Sequence, residues 1–259
     1  MQAGILCTPD LRTNSAIDLG RARWSTPAMS DLAPFAEDTR RTELEAAQAK
    51  ALRLFDAIER DGLIRPGVTE REVQDQIGEL AAREFGVEKH WHKRIVRSGP
   101  NSITIAGDNP PDRTIEADDI VYVDLGPVFE AWEADIGKSY VLGKDPQKHR
   151  LVADLPRVFA EVQAHYRKDP GMTGAALYAF AQDAAAAAGW RFGGKIAGHL
   201  VSEFAHALIP GDKALYRISP ENPTPMSDPD GKGRARHWIL EIHLVAPDGS
   251  FGGFYERLL

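Results

Sequence analysis

The sequence predicts an α+β domain in which helices cover a curved antiparallel sheet. Two observations carry this. Apolar residues recur at helical spacing in two separated pairs of segments, and each pair is followed by short β-branched, apolar runs. The order helices, strands, helices, strands then suggests two similar halves, although no sequence self-similarity relates them. With 43% hydrophobic and 27% charged residues, the 259-residue chain has the make-up of a protein that buries a core.

Residues 1–40, with Pro9, Pro27 and Pro34, show no sustained period and are expected to form an irregular arm. The domain is expected over 41–259. From Thr42, the positions Leu44, Ala47, Ala51, Leu54, Phe55 and Ile58 form one apolar stripe at spacings of three and four. Asp61-Gly62 ends that helix, and Arg65-Pro66-Gly67 makes a turn. Thr69 stands three residues before Glu72, a capping-box signature, so a second helix should run to Phe85 and stop at Gly86. A strand over 94–97 leads into the turn Ser98-Gly99-Pro100-Asn101. Strands are expected over 120–124 and 136–142, separated by the breaker Gly126-Pro127. Helical periodicity returns over 152–166 and 174–188, the latter ending in five alanines, the best helix formers. Strands close the chain at 238–245 and 254–258. Residues 210–236, rich in Pro, Gly and Asp, read as a long loop, and such loops are often functional.

Composition excludes several classes. Cys7 is the single cysteine, so an intramolecular disulfide or a zinc site built on several thiolates is ruled out. A net charge of −7 argues against a nucleic-acid surface. No stretch approaches the ~20 apolar residues of a membrane span. The first residues lack the basic flank of a signal peptide, and the expectation is a cytoplasmic protein.

The residues that carry chemistry sit on or beside the predicted strands. Asp124 ends an apolar strand and Asp135 begins the next, so pairing of the two strands brings two carboxylates face to face. Carboxylates so placed are costly unless a positive charge joins them. His199 follows a glycine-rich segment and His206 comes seven residues later. Glu241 interrupts the strand Trp238-Ile239-Leu240-Glu241-Ile242, where alternation puts Ile239, Glu241 and His243 on one face. Glu256 lies three residues from the last residue. Taken singly, each has a plain reading: a turn-forming acid, a packed histidine, a surface ion pair.

Taken in order, they resemble the pita-bread metallopeptidase family, which includes methionine aminopeptidases, Xaa-Pro peptidases and creatinase. The resemblance runs from about residue 42 to 259. It rests on Val121-Tyr122-Val123-Asp124-Leu125-Gly126, Asp135-Ile136-Gly137-Lys138, Gly198-His199 with His206, Leu240-Glu241-Ile242 and Tyr255-Glu256-Arg257-Leu258-Leu259. Ser98-Gly99-Pro100-Asn101-Ser102 also looks like the turn before the first metal strand of Xaa-Pro peptidases. The resemblance implies a curved sheet with pseudo-twofold halves and two divalent ions (Mn, Fe, Co or Zn) held by Asp124, Asp135, His199, Glu241 and Glu256. Asp135 and Glu256 would bridge the ions, Glu241 would also relay a proton, and His206 would steady the developing oxyanion. It further implies hydrolysis of an amide or similar C–N bond in a short peptide or small molecule, with a homodimer left open.

The chain also departs from the family pattern. Family peptidases usually carry a substrate-contacting histidine a few residues after the Ser-Gly-Pro-Asn turn; here the segment reads Ile103-Thr104-Ile105-Ala106-Gly107. Lys138 stands where an arginine is common, and His243 replaces a proline. His243 is therefore a candidate substrate contact. His90 and His92, alternating onto one face, either replace the missing histidine or form a solvated pair. Three functions stay open: an aminopeptidase-like hydrolase, a non-peptide metalloenzyme on the same fold and, last, a binding module without chemistry.

Overall fold

The computed structural model describes residues 36–259. Most of the expected arm, with Cys7, Pro9, Pro27 and Pro34, lies outside the described residues.

Helix α1 (Glu37–Arg60) starts five residues before Thr42, where the apolar period first shows. The extra turn is polar and held by charge. The buried Arg40 guanidinium lies 2.7 Å from Glu37 Oε2 and 3.2 Å from Glu203 Oε1, and donates to the Ala235 carbonyl at 2.9 Å. A search for apolar spacing cannot see such a turn. The expected stripe faces inward, with Leu44, Ala51, Leu54 and Ile58 buried. Each of the buried leucine and isoleucine side chains contributes about 1.5–3 kcal/mol.

Helix α2 (Glu70–Phe85) follows the expected signals. Thr69 Oγ1 accepts from the Glu72 N–H at 3.1 Å, and Glu72 Oε2 accepts from the Thr69 N–H at 2.7 Å. Gly86 ends the helix at φ 64°, a left-handed conformation that glycine adopts without penalty.

Next come β1 (Lys89–His90), β2 (Ile95–Ser98), β3 (Ile120–Leu125), β4 (Pro127–Phe129), β5 (Trp132–Glu133) and β6 (Ile136–Val141). Helix α3 (Pro146–Lys168) begins six residues before the expected start, because Asp145 caps the backbone N–H groups of Gln147 and Lys148. Helix α4 (Gly174–Ala187) is capped by Thr173. Strands β7 (Arg191–Phe192), β8 (Gly198–Val201), β9 (His237–Val245) and β10 (Gly252–Leu258) complete the fold.

Seven strands form one antiparallel sheet in the order β2-β3-β6-β10-β9-β7, with β8 also paired to β9. A small second sheet, β1-β4-β5, was not foreseen; its strands are too short to show a period. Two cores reproduce the expected halves. One packs α1 and α2 on Val121, Val123 and Leu125 of β3. The other packs α3 and α4 on Leu240, Ile242 and Leu244 of β9.

The turn after β2 is a 3₁₀ helix (Gly99–Ile103) fastened by the buried Glu70. Glu70 Oε1 accepts from Ser98 N at 2.6 Å and Ser98 Oγ at 3.0 Å, and Oε2 accepts from Asn101 Nδ2 at 3.0 Å. Burial raises the Glu70 pKa, and these hydrogen bonds only partly offset it. Ser102 Oγ accepts from Gly252 N at 2.9 Å, which joins the turn to β10. Glu70→Ala should therefore cost about 2–3 kcal/mol in urea unfolding, since it strands a buried backbone donor. Glu70→Gln should cost less. A loss under ~0.5 kcal/mol in the alanine variant would show that the turn supports itself.

Candidate metal centre

Sheet register builds the site. Asp124 on β3 lies opposite Gly137 on β6, Gly137 opposite Glu256 on β10, and Glu256 opposite Glu241 on β9. Three carboxylates thus fall in one row across the sheet, with a glycine in the gap. A Cβ at position 137 would stand 2.5 Å from Phe254 Cδ1 and 3.0 Å from Glu256 Cβ, so the row closes only around glycine. Asp135 immediately precedes β6, and His199 enters from β8. Its Nε2 lies 3.0 Å from Asp135 Oδ2, 3.7 Å from Glu241 Oε1 and 3.9 Å from Glu256 Oε1. All five residues line one cavity of about 620 Å³. Asp135, His199 and Glu256 bring one ligand atom each within 4.8 Å of the others, a spacing at which they could hold a metal ion.

His92 belongs to this cluster as well. Its Nε2 lies 3.2 Å from Asp135 Oδ1 and 3.4 Å from Asp124 Oδ1, so the solvated reading is corrected. His90 does not line the cavity. Strand β1 ends at His90, and the alternation expected to put both imidazoles on one face stops there. His243 lines the cavity but is buried, with Nε2 2.9 Å from the Ser102 carbonyl; burial lowers its pKa. Thr104, Ile105, Ala106 and Gly107 form a wall of the same cavity that carries no imidazole.

His206 also lines the cavity. Its Nδ1 lies 2.6 Å from Glu133 Oε2, and its backbone N–H donates to Glu133 Oε1 at 2.9 Å. Glu133 is buried and was not singled out in the sequence. The signal was there: an acid two residues before Asp135 in a short apolar run. Trp91 was missed too. Its ring packs edge-on against His92, His199 and His206 at 4.4–5.0 Å between centroids, and so orders three imidazoles at once.

The electrostatics match a site built for cations. Burial pushes Asp124 up to about 7, Glu241 up to about 8 and Glu256 well above the carboxylate range, with neighbouring carboxylates adding to each rise. Burial acts on Asp135 too, but the imidazoles of His92 and His199 outweigh it and hold its pKa below the ordinary value. Burial disfavours charge on those imidazoles, yet the carboxylates lift His92 to about 10 and His199 to about 9. Among the described residues, Asp124 Oδ1 and Glu256 Oε2 are buried side-chain oxygens without a hydrogen-bond partner. Orphaned buried oxygens facing one cavity fit divalent cations, and an oxygen-rich set with imidazole suits Mn, Fe, Co or Zn better than copper.

Known proteins share this arrangement of helices and strands. The X-Pro aminopeptidase of Thermotoga maritima superposes with a TM-score of 0.64 at 23% identity, over 85% of this chain and 58% of that one. The methionine aminopeptidase of Rickettsia prowazekii gives 0.64 at 13% identity, over 88% and 95%. These likenesses establish the pita-bread fold. In sequence, the Xaa-Pro dipeptidase of Pyrococcus furiosus is 31% identical over 120 residues, 46% of this chain and 34% of that protein. That of Lactobacillus helveticus is 28% identical over 136 residues, 52% and 35%. The chain thus spans about a third of the length of these curated relatives. The model of metallopeptidase family M24 matches residues 42–224, from the first buried stripe through His199 and His206. With that match over most of its length, the chain belongs to metallopeptidase family M24.

Proposed function

We propose that this protein is a metal-dependent hydrolase that cleaves an amide bond of a short peptide at a site holding two divalent ions. The observation that carries the reading is the row of buried and half-buried carboxylates with two orphaned oxygens on one cavity. Asp124 would hold one ion, His199 and Glu241 the other, and Asp135 and Glu256 would serve both. Asp135 supports this, since Oδ1 faces His92 and Asp124 while Oδ2 faces His199. When bound, the ions supply the charge that polarises the scissile carbonyl and acidifies a water.

The chain's own residues do the rest. Glu241, fixed on β9 in the cavity wall, takes the proton of the attacking water and passes it to the leaving amine. Glu133 accepts from Nδ1 of His206 and so aims the Nε2 edge of the ring into the cavity, where the doubly protonated ring would donate Nε2–H to the substrate oxygen. A carboxylate behind an imidazole also offsets the positive charge which that form of the ring carries. The matched dipeptidases favour a peptide substrate. A non-peptide amide is the second reading, favoured by the cavity wall at 104–107 with no imidazole to greet a peptide.

Four measurements test this. Asp135→Ala should lose metal and hydrolysis of dipeptides together; full metal content in that variant would sink the two-ion site. Glu241→Gln should keep much of the metal, measured at saturation, yet lose ~10²–10⁴-fold in kcat, the worth of a positioned general base. Glu133→Gln should leave KM nearly unchanged and lower kcat by roughly tenfold or more, since it weakens the hold on His206 and not a substrate contact. An effect on KM alone would put His206 in binding instead.

The fourth is pH dependence. Asp124 and Glu241 have raised pKa values in the fold, so their contribution to stability is present at low pH and lost as pH rises through 7–8, and Glu256, also raised, acts in the same direction. His92 and His199, also raised, contribute below their unfolded pKa and lose this as pH rises through 9–10. The lowered pKa of Asp135 acts only below the ordinary carboxylate range and leaves the window untouched. Metal-free protein should therefore melt at lower temperature at pH 8.5 than at pH 6. Because metal displaces these protons, the rise in Tm on adding Mn should grow over the same interval. A Tm gain that is flat with pH would argue that metal binds elsewhere.

A further inference from the structure

His92 comes from the loop between β1 and β2, outside the five ligands that the family resemblance supplies. We propose that His92 is a sixth protein ligand, binding one divalent ion through Nε2 beside Asp124 and Asp135. This deepens the two-ion reading and rests on it.

Position is the first argument. His92 Nε2, one Asp124 oxygen and one Asp135 oxygen all lie within 4.8 Å of one another, as a shared ion requires. Asp124 Oδ1 faces Nε2 at 3.4 Å without a hydrogen bond, and it is buried with no other partner among the described residues. A cation between the two gives the orphaned oxygen its contact.

Tautomer is the second. His92 Nδ1 lies 2.6 Å from the Lys93 carbonyl, which can only accept. Nδ1 therefore carries the hydrogen, and in the neutral ring Nε2 presents its lone pair to the cluster. Ligating histidines are commonly held this way, with the far nitrogen donating to a backbone carbonyl or carboxylate. His199 repeats the arrangement: Nδ1 is 2.8 Å from the Leu200 carbonyl and Nε2 faces Asp135. The two imidazoles flank Asp135, one beside each oxygen, so each ion receives one nitrogen.

The third is that the loop is held in place. The Trp91 N–H donates to the Gly126 carbonyl at 2.9 Å, and the Trp91 ring packs on His92 at 4.4 Å. Gly126 has no Cβ, and one there would stand 2.3 Å from His92 Cδ2. A surface histidine swinging in solvent needs no such seat. The added nitrogen should shift the preference of that ion towards Co, Fe or Zn over Mn.

The test is proton NMR of the Co(II)-loaded protein in water, which shows each coordinated imidazole by its strongly shifted, solvent-exchangeable Nδ1–H. Wild type should give two such resonances. His92→Ala should lose one and His199→Ala the other, and titration of His92→Ala with Co(II) should find one of the two equivalents weakened roughly tenfold or more. The wild-type spectrum is informative even if a variant folds poorly. Two bound equivalents with a single exchangeable resonance in wild type would overturn the proposal, as would full, unweakened loading of His92→Ala. With that loading, a fall in kcat alone would make His92 a substrate contact. Failure of wild type to bind two equivalents would instead overturn the two-ion reading itself.

Discussion

Four carboxylates crowded on one cavity, three buried and one half-buried, are the constraint on which the rest depends. Asp124, Asp135, Glu241 and Glu256 crowd like charges into a low-dielectric wall, which is unfavourable for every one of them alone. The fold meets this in three ways. It favours the protonated form of Asp124, Glu241 and Glu256, it sets imidazoles on both sides of Asp135, and it leaves oxygens free to meet cations. A site that is unstable when charged and empty is a site ready to take positive charge.

The scaffold is rigid where this strain is held. Three of the four acids sit on central strands and the fourth directly before one, and the row of three is fixed by register, so a one-residue slip would turn them to the opposite face. The helix pairs press on the other side of the same strands. Around the cavity mouth the supports are polar and individual. Glu70 pins the turn after β2, His243 reaches from β9 to that turn, and Glu133 orients His206. Trp91 joins His199 and His206 of the second half to His92 from the first, so the cavity wall is shared between the halves.

The cavity wall is built from two kinds of structure. The row of acids and His199 is set in the sheet. The wall at 104–107 and the loop that brings Trp91 and His92 are set outside it. Changes in the wall at 104–107 can reshape the cavity without disturbing the sheet row, which is the usual division between scaffold and loop.

Much of this was legible in the residues. The stripe from Leu44 to Ile58, the capping box at Thr69 and Glu72, the glycine stop at Gly86 and the acids on β-branched strands are local signals, and local physics decides them. Local spacing also put Glu241 and His243 on one face, as both lining the cavity agrees. What it could not reach was pairing across distance. The first turn of α1 is held by Arg40 and Glu203, 163 positions apart. Glu133 gains its meaning only because His206 lies 73 positions on. His92 looked like a solvated residue because its partners, Asp124 and Asp135, arrive from two other strands and its seat is the missing Cβ of Gly126. The sequence alone determined which residues can carry charge and which segments become helix or strand, because those follow from side chains within a few positions. The tertiary structure decided which charges meet, because buried acids, imidazoles and a glycine gap converge only once the sheet has set its register.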